Sequence, residues 1–142
     1  MINNLKNPKE LVICLKFLIH LSLTDDESFQ SIKSIIRKHI GAMFEENQKS
    51  VEKIIEGIND NDLIQVTIDS FLKLQNESEA TKKEIMQMIE EIIFADDDVL
   101  PSESKFYEMA KRYLNVQRYE VNPSVELFEY LNVLNLVSSS DF

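Results

Sequence analysis

The segment Asp96-Asp97-Asp98-Val99-Leu100-Pro101-Ser102-Glu103 is the passage in which clustered carboxylates stand beside a tight apolar anchor. Asp96 and Asp98 alternate, Val99 should point into the core, and Glu103 follows in the first turn of the next helix. Two or three carboxylates joined by loop carbonyls make the hard oxygen environment that calcium or magnesium takes. The spacing is not that of an EF-hand, whose longer loop contains glycine and closes on a bidentate Glu. The expected site is therefore partial and weak. The same residues have a second use that needs no metal: Asp96 can accept from loop amides, and Asp98 or Glu103 can answer the exposed amides and dipole of the following helix.

Other reactive side chains are sparse. His20 lies inside an apolar helix and His39 near the end of the next, without a nearby Cys or the His-Glu spacing of zinc hydrolases. The pattern makes His20 a core or boundary side chain and His39 an exposed one. Cys14, between Ile13 and Leu15, reads as a small buried hydrophobe, and as the single cysteine it has no partner for an internal disulfide. The Met, Phe and Tyr positions follow helical spacing and read as core, while Lys82-Lys83 and Glu90-Glu91 read as solvated faces. The sequence contains neither a glycine-rich phosphate cradle nor a recognisable nucleophile with its base. A non-catalytic adaptor or binding module is the leading class, and a metal-dependent enzyme working through clustered carboxylates is the alternative.

These residues must be positioned by helices. The 142 residues suffice for one domain with its own core, contain only 2 Gly and 3 Pro, and repeat their apolar side chains mostly at intervals of three and four. The expected architecture is all-α, a compact bundle of six or seven helices in a single domain spanning 1–142. Helix one starts at the Asn7-Pro8 cap and carries Leu11 to Leu23, apolar on more than one face. Helix two follows Thr24-Asp25-Asp26-Glu27 with the stripe Phe29, Ile32, Ile36, Ile40 and Met43, ended or bent near Gly41. A short third helix is marked by Val51, Ile54, Ile55 and Ile58. The fourth starts in Asn59-Asp60-Asn61-Asp62, buries Leu63, Val66, Phe71 and Leu74, and stops in the polar tract 75–79. In the fifth, Thr81 and Glu84 have capping-box spacing ahead of Ile85, Met88, Ile89, Ile92 and Ile93. The sixth carries Phe106, Met109, Ala110, Tyr113 and Leu114. A seventh opens at Asn122-Pro123 and carries Val125, Phe128, Leu131 and Leu134, and the tail 138–142 is expected to fray. Helices one and five, with the richest apolar faces, should lie centrally.

The formal charge is −10, and it is unevenly placed. Residues 1–48 hold six basic and six acidic side chains, whereas residues 49–142 hold nine basic and nineteen acidic. Such a surface repels phosphate backbones and anionic lipid and attracts cations or a basic protein, although acidity also serves simple solubility. Nucleic acid is thus an unfavourable partner. With no secretory signal or membrane-spanning run, direct membrane insertion is not expected and a cytoplasmic location is.

The run Ile92-Ile93-Phe94-Ala95-Asp96-Asp97-Asp98-Val99-Leu100-Pro101-Ser102-Glu103, continued by Phe106, Met109-Ala110 and Tyr113-Leu114-Asn115-Val116, resembles the TerB-like family of tellurite-resistance proteins. The family pattern is an apolar helix ending in Ala-Asp-Gly, an acidic or small residue, Ile or Val, a short cap, a Glu and an amphipathic helix. The resemblance covers roughly residues 85–116. A second acidic turn, Leu18-Ile19-His20-Leu21-Ser22-Leu23-Thr24-Asp25-Asp26-Glu27, is similar to the family's turn after its first helix. There Asp25 matches the first Asp, and Ile32 stands where the later Glu is expected. Asp26 and Asp97 replace the usual glycine, and Asp enters a left-handed backbone region only at some cost. The resemblance implies a pseudo-twofold helical bundle associated with stress resistance, divalent-ion binding through Asp96, Asp98, Glu103 and Asp25, and protein assemblies near the membrane. It implies no established catalytic activity.

Overall fold

The helical rhythm of the sequence resolves into six helices in the computed structural model, which describes residues 1–22, 26–95 and 99–116. In chain order they are α1 (Pro8–Ser22), α2 (Asp26–Ile40), α3 (Met43–Ile55), α4 (Asp60–Leu74), α5 (Glu79–Ile93) and α6 (Pro101–Leu114). No strand occurs among the described residues. The expected seventh helix, with Val125, Phe128, Leu131 and Leu134, and the tail 138–142 lie outside the described residues.

The two helices richest in apolar side chains organise the packing. Leu11, Val12, Ile13, Cys14, Leu15, Phe17 and Leu18 are all buried on α1, which packs against α3, α4 and α6. On α5 the buried face is Ile85, Met86, Met88, Ile89, Ile92 and Ile93, and it packs against α2 and α6. Since α2 also rests on α3, the contacts form a closed circuit from α1 through α3, α2, α5 and α6 back to α1.

Close approach of α1 and α4 is served by small side chains. Cys14 directs its thiol at the Thr67 carbonyl, 3.8 Å away, while the Thr67 and Ser70 hydroxyls donate to the carbonyls of Leu63 and Val66 within α4. These hydroxyls are satisfied inside their own helix, so burying them against an apolar neighbour leaves no orphaned donor. Beside this contact, the Phe106 ring meets Phe17 at 6.1 Å and Phe71 at 5.7 Å, both edge to face. That geometry sets the positive ring edge against a negative face and adds roughly 0.5 to 1.5 kcal/mol per pair beyond area burial.

Two boundaries differ from the sequence expectation. Gly41, at φ +60°, turns the chain sharply after α2, and helix resumes at Met43, so Met43 opens α3 rather than extending the stripe of α2. The third helix is accordingly longer than its Val51–Ile58 pattern suggested, and it buries Phe44 as well as Val51. In α5 the cap is Ser78, whose hydroxyl oxygen accepts from the Thr81 amide at 3.1 Å; Thr81 is already in the first turn. Ser78 wins because its extended backbone aims the side chain at the free amides, a position Thr81 has left by becoming helical. The Asn59 cap of α4 accepts from the Asp62 amide at 2.9 Å, within the run expected to start that helix.

Ile89 is fully buried. Replacing it by Ala removes transfer free energy and leaves a cavity, so Ile89→Ala should destabilise the protein by about 2 to 5 kcal/mol. Chemical denaturation followed by circular dichroism measures this, and an unchanged midpoint would contradict the core placement.

Candidate functional site

Of the four carboxylates expected to hold a cation, the described residues contain Glu103; Asp96, Asp98 and Asp25 lie outside them. Glu103 is buried in the first turn of α6. Its Oε1 accepts from the Leu100 amide at 2.9 Å, the carboxylate half of a capping box in which Leu100 has no side-chain acceptor to return. Its Oε2 lies 3.1 Å from the Ser22 hydroxyl at the end of α1. That hydroxyl is also 2.9 Å from the Leu18 carbonyl, and its single proton serves one acceptor at a time. Ser102 donates to the Leu21 carbonyl at 3.3 Å, and Val99 packs against the core as expected. The start of α6 is thereby laced to the end of α1, and the capping use of Glu103 is the one the geometry shows.

A second carboxylate does comparable work at the other end of α1. Glu77, buried in the turn between α4 and α5, accepts from the Lys6 amide at 2.9 Å, the Asn7 amide at 2.7 Å and the Asn7 side-chain amide at 2.9 Å. Amide donors converging on one carboxylate offset much of the cost of removing it from water. Nothing in the polar tract 75–79 singles this residue out, because the partners that bury it lie 70 and 71 positions away.

The histidines exchange their expected roles. His20 is exposed, whereas His39 is buried between α2 and α5. Its Nδ1 lies 3.3 Å from Glu84 Oε2 and its Nε2 lies 3.0 Å from Glu91 Oε1. The signal was available: His39 follows Ile36 by three and Ile32 by seven, which puts it on the apolar stripe of α2. Burial alone would raise the Glu91 carboxyl, but hydrogen bonds from His39 and Lys38 outweigh it and hold the group below the ordinary glutamate value.

The paired charges on α5 also need correction as solvated faces. Lys82 is buried with its Nζ 2.7 Å from Glu79, and Glu90 is buried and accepts from the Tyr107 hydroxyl at 3.2 Å. Both lie within the wide inward face of a helix covered on more than one side, where a solvent face is narrower than the residue pairs suggest. Cys14 is buried as expected, and burial pushes its thiol well above the usual range, away from the thiolate that nucleophilic chemistry needs. Among the described residues, no three His, Cys, Asp or Glu side chains are arranged to hold a metal ion. No helix among them is long and apolar enough to cross a membrane.

No family model, no curated protein and no solved structure matches this chain.

Loss of the Glu103 carboxylate leaves the part-buried Leu100 amide without its partner and unties Ser22. Glu103→Ala should therefore lower stability by about 1 to 3 kcal/mol. Urea titration measures the loss, and wild-type stability in this variant would show that the carboxylate does not hold the two helix ends together.

Proposed function

We propose that the chain is a non-catalytic adaptor, stress-associated in the sense that the TerB-like resemblance implies, acting through a protein partner in the cytoplasm. The observation that carries the reading is the acidic outer surface running from α3 into α4. Residues 43–69 hold seven carboxylates and two lysines, and Glu46, Glu52, Glu56, Asp60, Asp62 and Asp69 are exposed. Acidic side chains left in solvent on a helical scaffold favour encounter with a basic partner, soluble or membrane-associated, and disfavour nucleic acid. Weak binding of calcium or magnesium at the loop from Asp96 to Glu103 belongs to the same reading, supported by its oxygen-only donor set. Tellurite resistance as the physiological setting rests on the resemblance alone.

Affinity capture from the native cell, with the full chain as bait, tests the adaptor reading. A specific protein should be retained by the wild type and weakened in a Glu56→Gln, Asp60→Asn, Asp62→Asn variant that remains folded. Equal recovery by both baits, or no specific protein with either, would reject it. The cation is tested by calorimetric titration with calcium and with magnesium, backed by an independent binding assay. Saturable weak binding should be reduced by Asp96→Asn more than by Asp25→Asn, with helicity monitored in each. No saturable binding of either ion would remove the metal from the proposal and leave Asp96, Asp98 and Glu103 as caps or partner contacts.

A further inference from the structure

The His39 ring meets a carboxylate at each of its two nitrogens, Glu84 at Nδ1 and Glu91 at Nε2, with only 8 % of its side chain exposed. An ionised carboxylate only accepts hydrogen bonds, and a neutral imidazole has one N–H. Neutral His39 must therefore turn a lone pair toward one of its two glutamates at hydrogen-bond distance. The imidazolium alone donates to both. We propose that His39 is a protonation-gated clasp, which as an imidazolium ties the last turn of α2 to α5 and, on losing its proton, releases one of its two carboxylates.

The surroundings give the clasp something to hold. The His39 carbonyl accepts from the Ile2 amide at 2.6 Å, and Ile2 is buried, so the segment ahead of α1 is seated on the same turn of α2. The charged groups facing the ring's partners are the Met1 amine, 3.9 Å from Glu84, and Lys38 on α2, 3.2 Å from Glu91. Both cations are mostly solvent-exposed and correspondingly screened, whereas the ring lies between the carboxylates. Toward α3, Arg37 and Glu45 engage each other at 2.6 Å.

The direction with pH follows. The clasp contributes fully where the ring is charged and both glutamates are ionised, and its contribution falls as pH rises and the ring proton leaves. At the acid end it is lost as Glu91 protonates, which its lowered carboxyl value defers to more acidic solution.

Long-range proton–nitrogen NMR on the full wild-type chain reads the ring directly, with exposed His20 as the internal reference. The titration should pass from a ring protonated on both nitrogens to one carrying a single N–H, and that step should coincide with a change at the Ile2 amide. A ring that never carries both protons while Glu84 and Glu91 are ionised, or an Ile2 amide indifferent to the ring's titration, would overturn the proposal. In thermal melts the wild type should lose roughly 2 to 4 °C across the ring's own deprotonation as read by NMR, the shift that about 1 kcal/mol produces in a chain of this size. His39→Gln should abolish that dependence, and its persistence in the variant would equally overturn the clasp. Should His39→Gln not fold, the wild-type NMR titration decides.

Discussion

The rings of Phe17, Phe71 and Phe106 meet where α1, α4 and α6 come together, and much of the described structure follows from holding α1 against that junction. A helix apolar on most of its circumference is stable only when neighbours cover it on several sides. Here α3, α4 and α6 supply the cover. Enclosure creates a second requirement, because the amides before a helix and the groups at its last turn still need partners once water is excluded. Glu77 meets the first need and Glu103, through Ser22, contributes to the second. Each lies at the start of another helix, Glu77 next to the Ser78 cap of α5 and Glu103 in α6. Closing the ends of α1 therefore also fixes where α5 and α6 begin.

What the sequence revealed and what it concealed divide along the same line. Apolar periodicity is local, so the stripes of α1, α2, α4, α5 and α6 were legible from residues a few positions apart. The burial of Thr67 and Ser70 was not, because a hydroxyl that bonds its own helix looks polar in sequence and behaves as a small packing group. The burial of Glu77, within a polar tract, and of Lys82, expected on a solvated face, was not legible either. Their charges are accommodated by partners the linear chain does not pair with them in advance, or by a short contact within a face whose covering neighbour is unknown until the fold exists. His39 is a different kind of miss. Its position on the stripe of Ile32 and Ile36 was plain, and treating the end of a helix as solvent outweighed it.

The candidate cation site was legible in part. Glu103 is expected in the first turn of α6 with a capping use open to it, and that is where it lies and what its Oε1 does. Its reach across to Ser22 was not readable, since it depends on the packing of α1 beside α6. Those two hydrogen bonds tie the carboxylate to two helix ends at once. Any cation drawing on Glu103 would act on a group that already positions α1 and α6, so ligand binding there and helix registry would be thermodynamically coupled.

Among the described residues, two groups of carboxylates stand at opposite extremes of exposure. Glu77, Glu90 and Glu103 are buried and hydrogen-bonded, and the packing around them depends on those bonds. Glu56, Asp60 and Asp62 are exposed around the turn between α3 and α4, where salt screens them within about a Debye length of roughly 8 to 10 Å. The formal charge of −10 counts both populations alike, yet only the exposed one projects a field that an approaching protein can feel. Raising ionic strength should weaken an encounter at α3 and α4 while leaving the buried hydrogen bonds largely intact. The fold and the proposed docking surface therefore draw on the same residue type through physically separable interactions.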